Sequence, residues 1–168
     1  MKKLVKVCSL LLLLTSCYIN RNLVKNKIYL EKIENYSNQS LLNFFINEKL
    51  KEIILNYPDF TITNLKELSD YILLIKILKC ERIPLFFDKK DTDNIVASKY
   101  KIELYMEVRK KDGVIISKNL TETTSFSISK DYKEEEIFSK LSVQIAKKIY
   151  FELLNIKNEK SNSNSGRY

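Results

Sequence analysis

Few side chains in this 168-residue sequence have the means for covalent or acid–base chemistry. It contains three cysteines, Cys8, Cys17 and Cys80, and no histidine. A thiol becomes a nucleophile when a neighbouring base or cation holds it as thiolate. With no imidazole in the chain, Cys80 lacks the usual activator, and a lone thiol is a poor ligand set for zinc. Only two glycines occur, Gly113 and Gly166, so no glycine-rich loop can cradle a phosphate. No serine stands in a nucleophile-elbow pattern. The acidic run Glu134-Glu135-Glu136 reads as the first turn of a helix, where carboxylates face the positive end of the dipole. The chain is therefore read as non-enzymatic, with no metal and no cofactor. Two kinds of chemistry remain. One is the thiol of Cys17, placed at the end of an apolar run. The other is phosphate recognition by short cationic groups, Arg109-Lys110-Lys111 first and Lys89-Lys90 second.

The surroundings of Cys17 say what its thiol is for. Lys2, Lys3 and Lys6 precede an apolar stretch from Leu4 to Leu14, and Ser16 supplies a small residue just before Cys17. A spanning helix needs about 20 apolar residues, so this stretch is too short to cross a bilayer. A basic start, a short apolar centre and a small-residue exit make a secretory signal, expected over residues 1–16. The sequence Leu14-Thr15-Ser16-Cys17 resembles the bacterial lipobox. That resemblance implies cleavage before Cys17, a diacylglyceryl group on its thiol and acylation of its new amine. More than one chain is needed, since a single acyl chain anchors only marginally. Cys8 leaves with the signal, and Cys80 is then the only free thiol of the exported domain. With no partner for a disulfide it should be buried.

Residues 17–26 are a lipidated tether, residues 27–156 one domain, and residues 157–168 a polar tail with the composition of a disordered segment. The formal charge is +8, and it stays positive once Lys2, Lys3 and Lys6 are removed. A basic surface suits an anionic partner such as a phosphorylated glycolipid or a membrane surface. An overall bias towards lysine, asparagine and isoleucine explains the excess equally well. Export removes nucleic acid as a partner.

The elements that must position these residues follow from periodicity. Residues 27–33 read as a strand, and Glu34 to Asn38 as a turn rich in cap residues. Leu42, Phe45, Ile46, Leu50, Ile53, Ile54 and Tyr57 recur at three- and four-residue steps, predicting a helix over 39–56 that Pro58 ends. Residues 60–63 are a brief extended piece, and the apolar run at 71–79 a strand, with a helix as the alternative. Residues 81–98 read as a long loop, with Phe86 and Phe87 folded back on the domain; contact with a partner is the alternative. Lys101, Glu103, Tyr105, Glu107 and Arg109 alternate with Ile102, Leu104, Met106 and Val108, which predicts a strand with one wet and one dry face. Asp112-Gly113 is a hairpin signal, and the return strand runs over 114–128. Ile137, Phe138, Leu141, Ile145, Ile149 and Leu153 line one face of a helix over 133–154, opened by Asp131 and Glu134 in a capping box. The expected fold is α+β: a two-layer sandwich with both helices on one face of a mixed sheet of about four strands, in β-α-β-β-β-α order. The first helix makes a crossover between parallel strands.

In this order the elements resemble the lipopolysaccharide-assembly lipoprotein family, LptE. Four stretches carry the likeness: the lipobox at Cys17; Ile28 through Asn35-Tyr36-Ser37 into the first helix; Ser69-Asp70-Tyr71-Ile72-Leu73 opening an apolar strand; and Ala97 to Tyr100 opening the long hairpin. The resemblance implies an outer-membrane lipoprotein that sits in an LptD-like β-barrel, helps it assemble and helps deliver lipopolysaccharide to the cell surface. It also implies glycolipid contact through basic residues at loop tips, here Arg109, Lys110 and Lys111, then Lys89 and Lys90. The wet face of the 100–109 strand would meet the barrel. One alternative is a free lipoprotein displayed on the surface and binding another protein or ligand. A periplasmic adaptor with the same anchor is a further alternative.

Overall fold

The computed structural model describes residues 25–90, 95–128 and 133–164, with side chains of the last helix described through Asn158. The signal, Cys17, most of the tether, the proposed cap Asp131 and residues 165–168 lie outside the described residues.

The chain forms β1 (Asn26–Leu30), β2 (Glu34–Asn35), α1 (Leu42–Asn56), β3 (Phe60–Ile62), a short 3-10 turn (Lys66–Leu68), β4 (Tyr71–Phe87), β5 (Ile95–Lys110), β6 (Gly113–Ser127) and α2 (Glu134–Asn164). The strands make one mixed sheet in the order β3-β1-β4-β5-β6, with β2 also paired to β4. β1 is parallel to both β3 and β4, as the helical crossover requires, while β4, β5 and β6 are antiparallel. The α+β class and the two helices agree with the sequence. The sheet, however, has six strands instead of about four.

The helices pack on each other and on one face of the sheet. Leu42, Ile46, Leu50, Ile53 and Ile54 of α1 are buried with Ile137, Phe138, Leu141, Ile145, Ile149 and Leu153 of α2. Facing them are Tyr71, Leu73, Ile75 and Ile77 of β4 and Tyr100, Ile102, Leu104, Met106 and Val108 of β5. This core draws on residues from Ile28 to Ile156. Phe45 is only partly buried, and Tyr57 stays half exposed.

Local chemistry sets the boundaries. Asn35 organises the turn before α1: its amide oxygen accepts from the Ser37 backbone N–H at 2.9 Å and from the Ser37 hydroxyl at 2.7 Å, and its amide nitrogen donates to the Gln39 carbonyl at 2.8 Å. Tyr57 turns extended (ψ 147°), as the residue before Pro58 must, and α1 stops. Gly113 has φ +131°, a conformation closed to side-chain-bearing residues, at the turn between β5 and β6. α2 continues to Asn164, beyond the expected helix end and into the segment whose composition suggests a disordered tail.

The largest departure concerns residues 81–98, expected as a loop. β4 continues to Phe87 and β5 begins at Ile95, so most of that segment is a hairpin. The pairing is interrupted between Ile77 and Lys79, between Pro84 and Phe86, and again between Phe86 and Phe87. Each interruption resets which face a side chain takes, and the period-two pattern that would have revealed the strand is lost. The core reaches only as far as Cys80 on β4 and Tyr100 on β5. Beyond them β4 and β5 run on, with Ser98 still fully buried beside β6, and Phe86 and Phe87 do not fold back: they are 66% and 50% exposed.

Candidate partner face and cationic sites

The face of the sheet away from the helices is built mainly by β4 and β5. Register places Lys76 opposite Tyr105, Lys79 opposite Glu103 and Glu81 opposite Lys101, so these side chains share one surface. Glu34, paired in register with Lys76, extends it, and Ser117 stands opposite Glu107 on β6. The surface is polar, and its charges are matched among themselves. Lys76 meets Glu34 at 3.0 Å, Lys79 meets Glu81 at 2.6 Å, and Lys101 meets Glu103 at 2.5 Å. Arg109 donates to Glu107, and the Tyr105 hydroxyl donates to the other Glu107 oxygen at 2.5 Å. Tyr36 donates to Glu34 at 2.5 Å.

These contacts fix the protonation states. The Tyr105 hydroxyl and then Arg109 hold the Glu107 carboxyl below the usual carboxylate range, against the opposing effect of burial. Tyr36 and Lys76 do the same for Glu34, and Lys101 does so for Glu103. In return Glu34 raises Lys76, Glu81 raises Lys79, and Glu107 raises Arg109. All are charged at neutral pH. Beneath them Leu74 is 7% exposed yet stands apart from the helix-side core, and Glu107 is 8% exposed. The stems of the polar side chains shield this patch.

The sequence identified the β5 half of this face, Lys101 to Arg109. It missed Lys76, Lys79, Glu81 and Glu34. Lys76 and Lys79 straddle the irregularity at Leu78, so strict alternation does not bring them to one side. Glu34 belongs to a two-residue strand too short to show any period.

The five cationic candidates do not form one site. Arg109 points to the outer face and is engaged by Glu107. Lys110 takes another direction and places its ammonium 4.8 Å from the centre of the Tyr71 ring, a cation–π contact. Lys110 and Lys111 line a cleft of about 570 Å³ with Asn26, Leu68, Tyr71 and three carboxylates, Glu67, Asp70 and Asp112. Asp70 in this cleft is already bonded to the Lys27 backbone N–H at 2.7 Å. Lys89 and Lys90 lie just past the far end of β4. That strand has 17 residues, and at about 3.3 Å per residue its ends are about 50 Å apart. The Lys110-Lys111 end is also where the chain enters, since Ile28 pairs with Tyr71 and Ile72 with Arg109. Cys17 is outside the described residues, and Lys25 is the first residue after it to be seen.

Cys80 is buried, and burial, with Glu134 and Glu81 nearby, pushes its thiol up to about 11. It is a core side chain. Among the described residues no helix is long and apolar enough to cross a membrane.

No family model matches the chain, and no curated protein matches it in sequence. Solved structures do share its fold. Rare lipoprotein B from Shewanella oneidensis is 12% identical with a TM-score of 0.56, the match covering 81% of this chain and 99% of that one. A protein from Xanthomonas campestris is 11% identical with a TM-score of 0.56, covering 86% of this chain and 92% of that one. A candidate lipoprotein from Caulobacter crescentus is 11% identical with a TM-score of 0.54, covering 77% and 92%. At such identities the likeness is one of fold: this chain has a fold that bacterial lipoproteins use.

Proposed function

We propose that this protein is an outer-membrane lipoprotein, held by lipid on Cys17, that serves as plug and assembly partner of an LptD-like β-barrel. Its role is to bind and position, without catalysis, while lipopolysaccharide passes to the outer leaflet. The observation that carries this reading is the outer face of the sheet. A large barrel has a polar, hydrated lumen, and a protein seated there must present a polar surface to it. Here the charges of that surface are already paired. A paired charge gives up less hydration on docking than a lone one, and leaves no uncompensated charge once enclosed.

The cationic residues divide within this reading. Lys110 and Lys111, at the end where the chain enters, are the candidates for glycolipid phosphate. Arg109 serves the outer face through Glu107. Lys89 and Lys90 are flanked in sequence by Asp88, Asp91 and Asp93, which offset their charge.

The test is a pull-down of the full chain, tagged after the polar tail, from gently solubilised outer membranes. A large β-barrel recovered in near-equal amount supports the plug. A protein recovered alone and cut by protease on intact cells would instead be a free surface lipoprotein. In parallel, Cys17→Ala should stay uncleaved and take up no radiolabelled fatty acid; normal labelling would remove the anchor.

A further inference from the structure

β6 closes one side of the sheet, and among the described residues no strand pairs with it beyond β5. It has 15 residues, against about five or six in an ordinary strand. Over 116–127 it pairs with β5 without a register shift, so its backbone groups alternate between β5 and open space. The Ile128 N–H bonds the Val96 carbonyl at 2.9 Å, which gives the even-numbered residues to β5. The odd-numbered residues turn their N–H and C=O outward. There the Thr121 carbonyl is met at 3.0 Å by the Lys148 ammonium, reaching over from α2.

The side chains divide in the same way. Ile116, Leu120 and Phe126 face the helices. Lys118 and Glu122 are tied to Glu152 and Lys148 of α2, each at 2.6 Å. Ser117, Asn119, Thr121, Thr123, Ser125 and Ser127 take the outer face; all six are exposed and none is charged. Proteins ordinarily spoil a long edge with proline, a bulge or free charge. Residues 116–127 hold no proline and no bulge, and both their charges are answered by α2. Lys148 covers a single carbonyl, and its bond to Glu122 can hold it when it moves aside.

We infer that this edge takes an extended segment of the barrel partner as an added strand, paired through the outward backbone groups of residues 117–127. The inference rests on the plug reading. The outer face continues directly onto β6, where Ser117 stands opposite Glu107 and Asn119 opposite Tyr105, so a partner seated on that face brings its chain to the edge. A closed barrel wall lends no free strand; the segment is one that folds into the lumen. Recognition is by main chain. Beside the Ser/Thr/Asn row the segment carries uncharged side chains, because a charge enclosed there would find no partner.

Thr123→Pro removes one outward N–H and sets a ring on the edge, while the N–H groups bonded to β5 remain. The full lipidated chain, parent and variant, is recovered with its barrel in mild detergent, and amide exchange over 117–127 is followed by mass spectrometry. In the parent, exchange there should be slower in the complex than in the free protein by about tenfold or more. The variant complex should dissociate about tenfold faster, with the melting temperature of the free protein unchanged. A parent complex with no slowing over 117–127 overturns the inference, whatever the stability of the variant. So does a variant complex as long-lived as that of the parent. Slowing already present in the free protein, and growing with its concentration, would give the edge to a second copy instead. A parent that recovers no barrel sinks the plug reading and this inference with it. A barrel recovered with the edge unprotected sinks the inference alone.

Discussion

Tyr150→Phe should cost about 1.5 kcal/mol of folding stability, and the structure shows where that number comes from. Tyr150 is 3% exposed on α2, and its hydroxyl donates to Asp59 Oδ2 at 2.8 Å. Lys157 donates to the other Asp59 oxygen, also at 2.8 Å. The pair ties the late turns of α2 to the start of β3. Phenylalanine keeps the ring contacts, a stack on Tyr57 at 4.9 Å and an edge contact with Phe60 at 5.9 Å, so the hydrogen bond alone is lost. A hydrogen bond to a charged group contributes about 1.5–3 kcal/mol. Asp59 keeps Lys157, and its side chain is 29% exposed, so water can take the vacated position and the low end applies. With a urea slope near 2 kcal/mol/M, the midpoint should fall by about 0.7 M at unchanged slope. The pH dependence adds a second check. Lys157 and then Tyr150 hold the Asp59 carboxyl below its ordinary value. Its stabilisation is full above the unfolded carboxylate pKa of about 3.9 and is lost as pH falls through the folded value. Burial and Asp59 raise the Tyr150 phenol above its ordinary value. The parent therefore loses stability as pH climbs past the unfolded phenol value of about 10, a loss the variant cannot share. The gap between parent and variant should be widest between these limits and narrow on both sides. A midpoint shift below about 0.2 M, or a gap independent of pH, would refute the reasoning.

Three further outcomes are expected. Gly113→Ala meets no neighbour within 4 Å but must hold φ +131°, so it should destabilise by more than about 1 kcal/mol; an unchanged melting temperature would show that the turn can relax. Cys80 should be silent to a thiol reagent at neutral pH in the native protein and react fully in denaturant, given its burial and a thiol pushed up to about 11; fast native labelling would place it outside the core. Lys110→Glu with Lys111→Glu should weaken lipopolysaccharide binding while the circular dichroism stays that of the parent; undiminished binding would remove both from the site. Arg109 is left intact in that test because a carboxylate there would repel Glu107.

Elements with a clean period and one buried face were legible in the sequence. Both helices show it, and so does the alternation from Tyr100 to Val108 that runs through the middle of the sheet. What escaped has a common cause. β4 is covered by helices at one end and bare at the other, and register breaks at Leu78 and Leu85 change its phase on the way. No single pattern describes it. β2 is two residues long and exists only because β4 offers it a ladder, whereas β3, on β1, answers to the brief extended piece read at 60–63. For the site, charge alternation found the β5 half of the outer face. It could not show that each cation there is matched to a carboxylate, nor that the Lys110 ammonium meets the Tyr71 ring. Pairing depends on neighbours from other strands, which no local pattern records.

The matched charges of the outer face bear on how the proposed partner would find it. Opposite charges a few ångströms apart present dipoles to a distant molecule, and dipolar fields fade faster than that of a net charge, before salt damps them further. This face is therefore electrically quiet at long range. It does little to steer an approaching protein, and the rate of docking on it should change little with ionic strength. Recognition is deferred to contact, where the alternating signs of Lys76, Glu34, Lys101, Glu103, Glu107 and Arg109 act like the teeth of a key. In the proposed plug, a wall with the complementary sequence of signs would fit, and one shifted by a single strand would set like charges together.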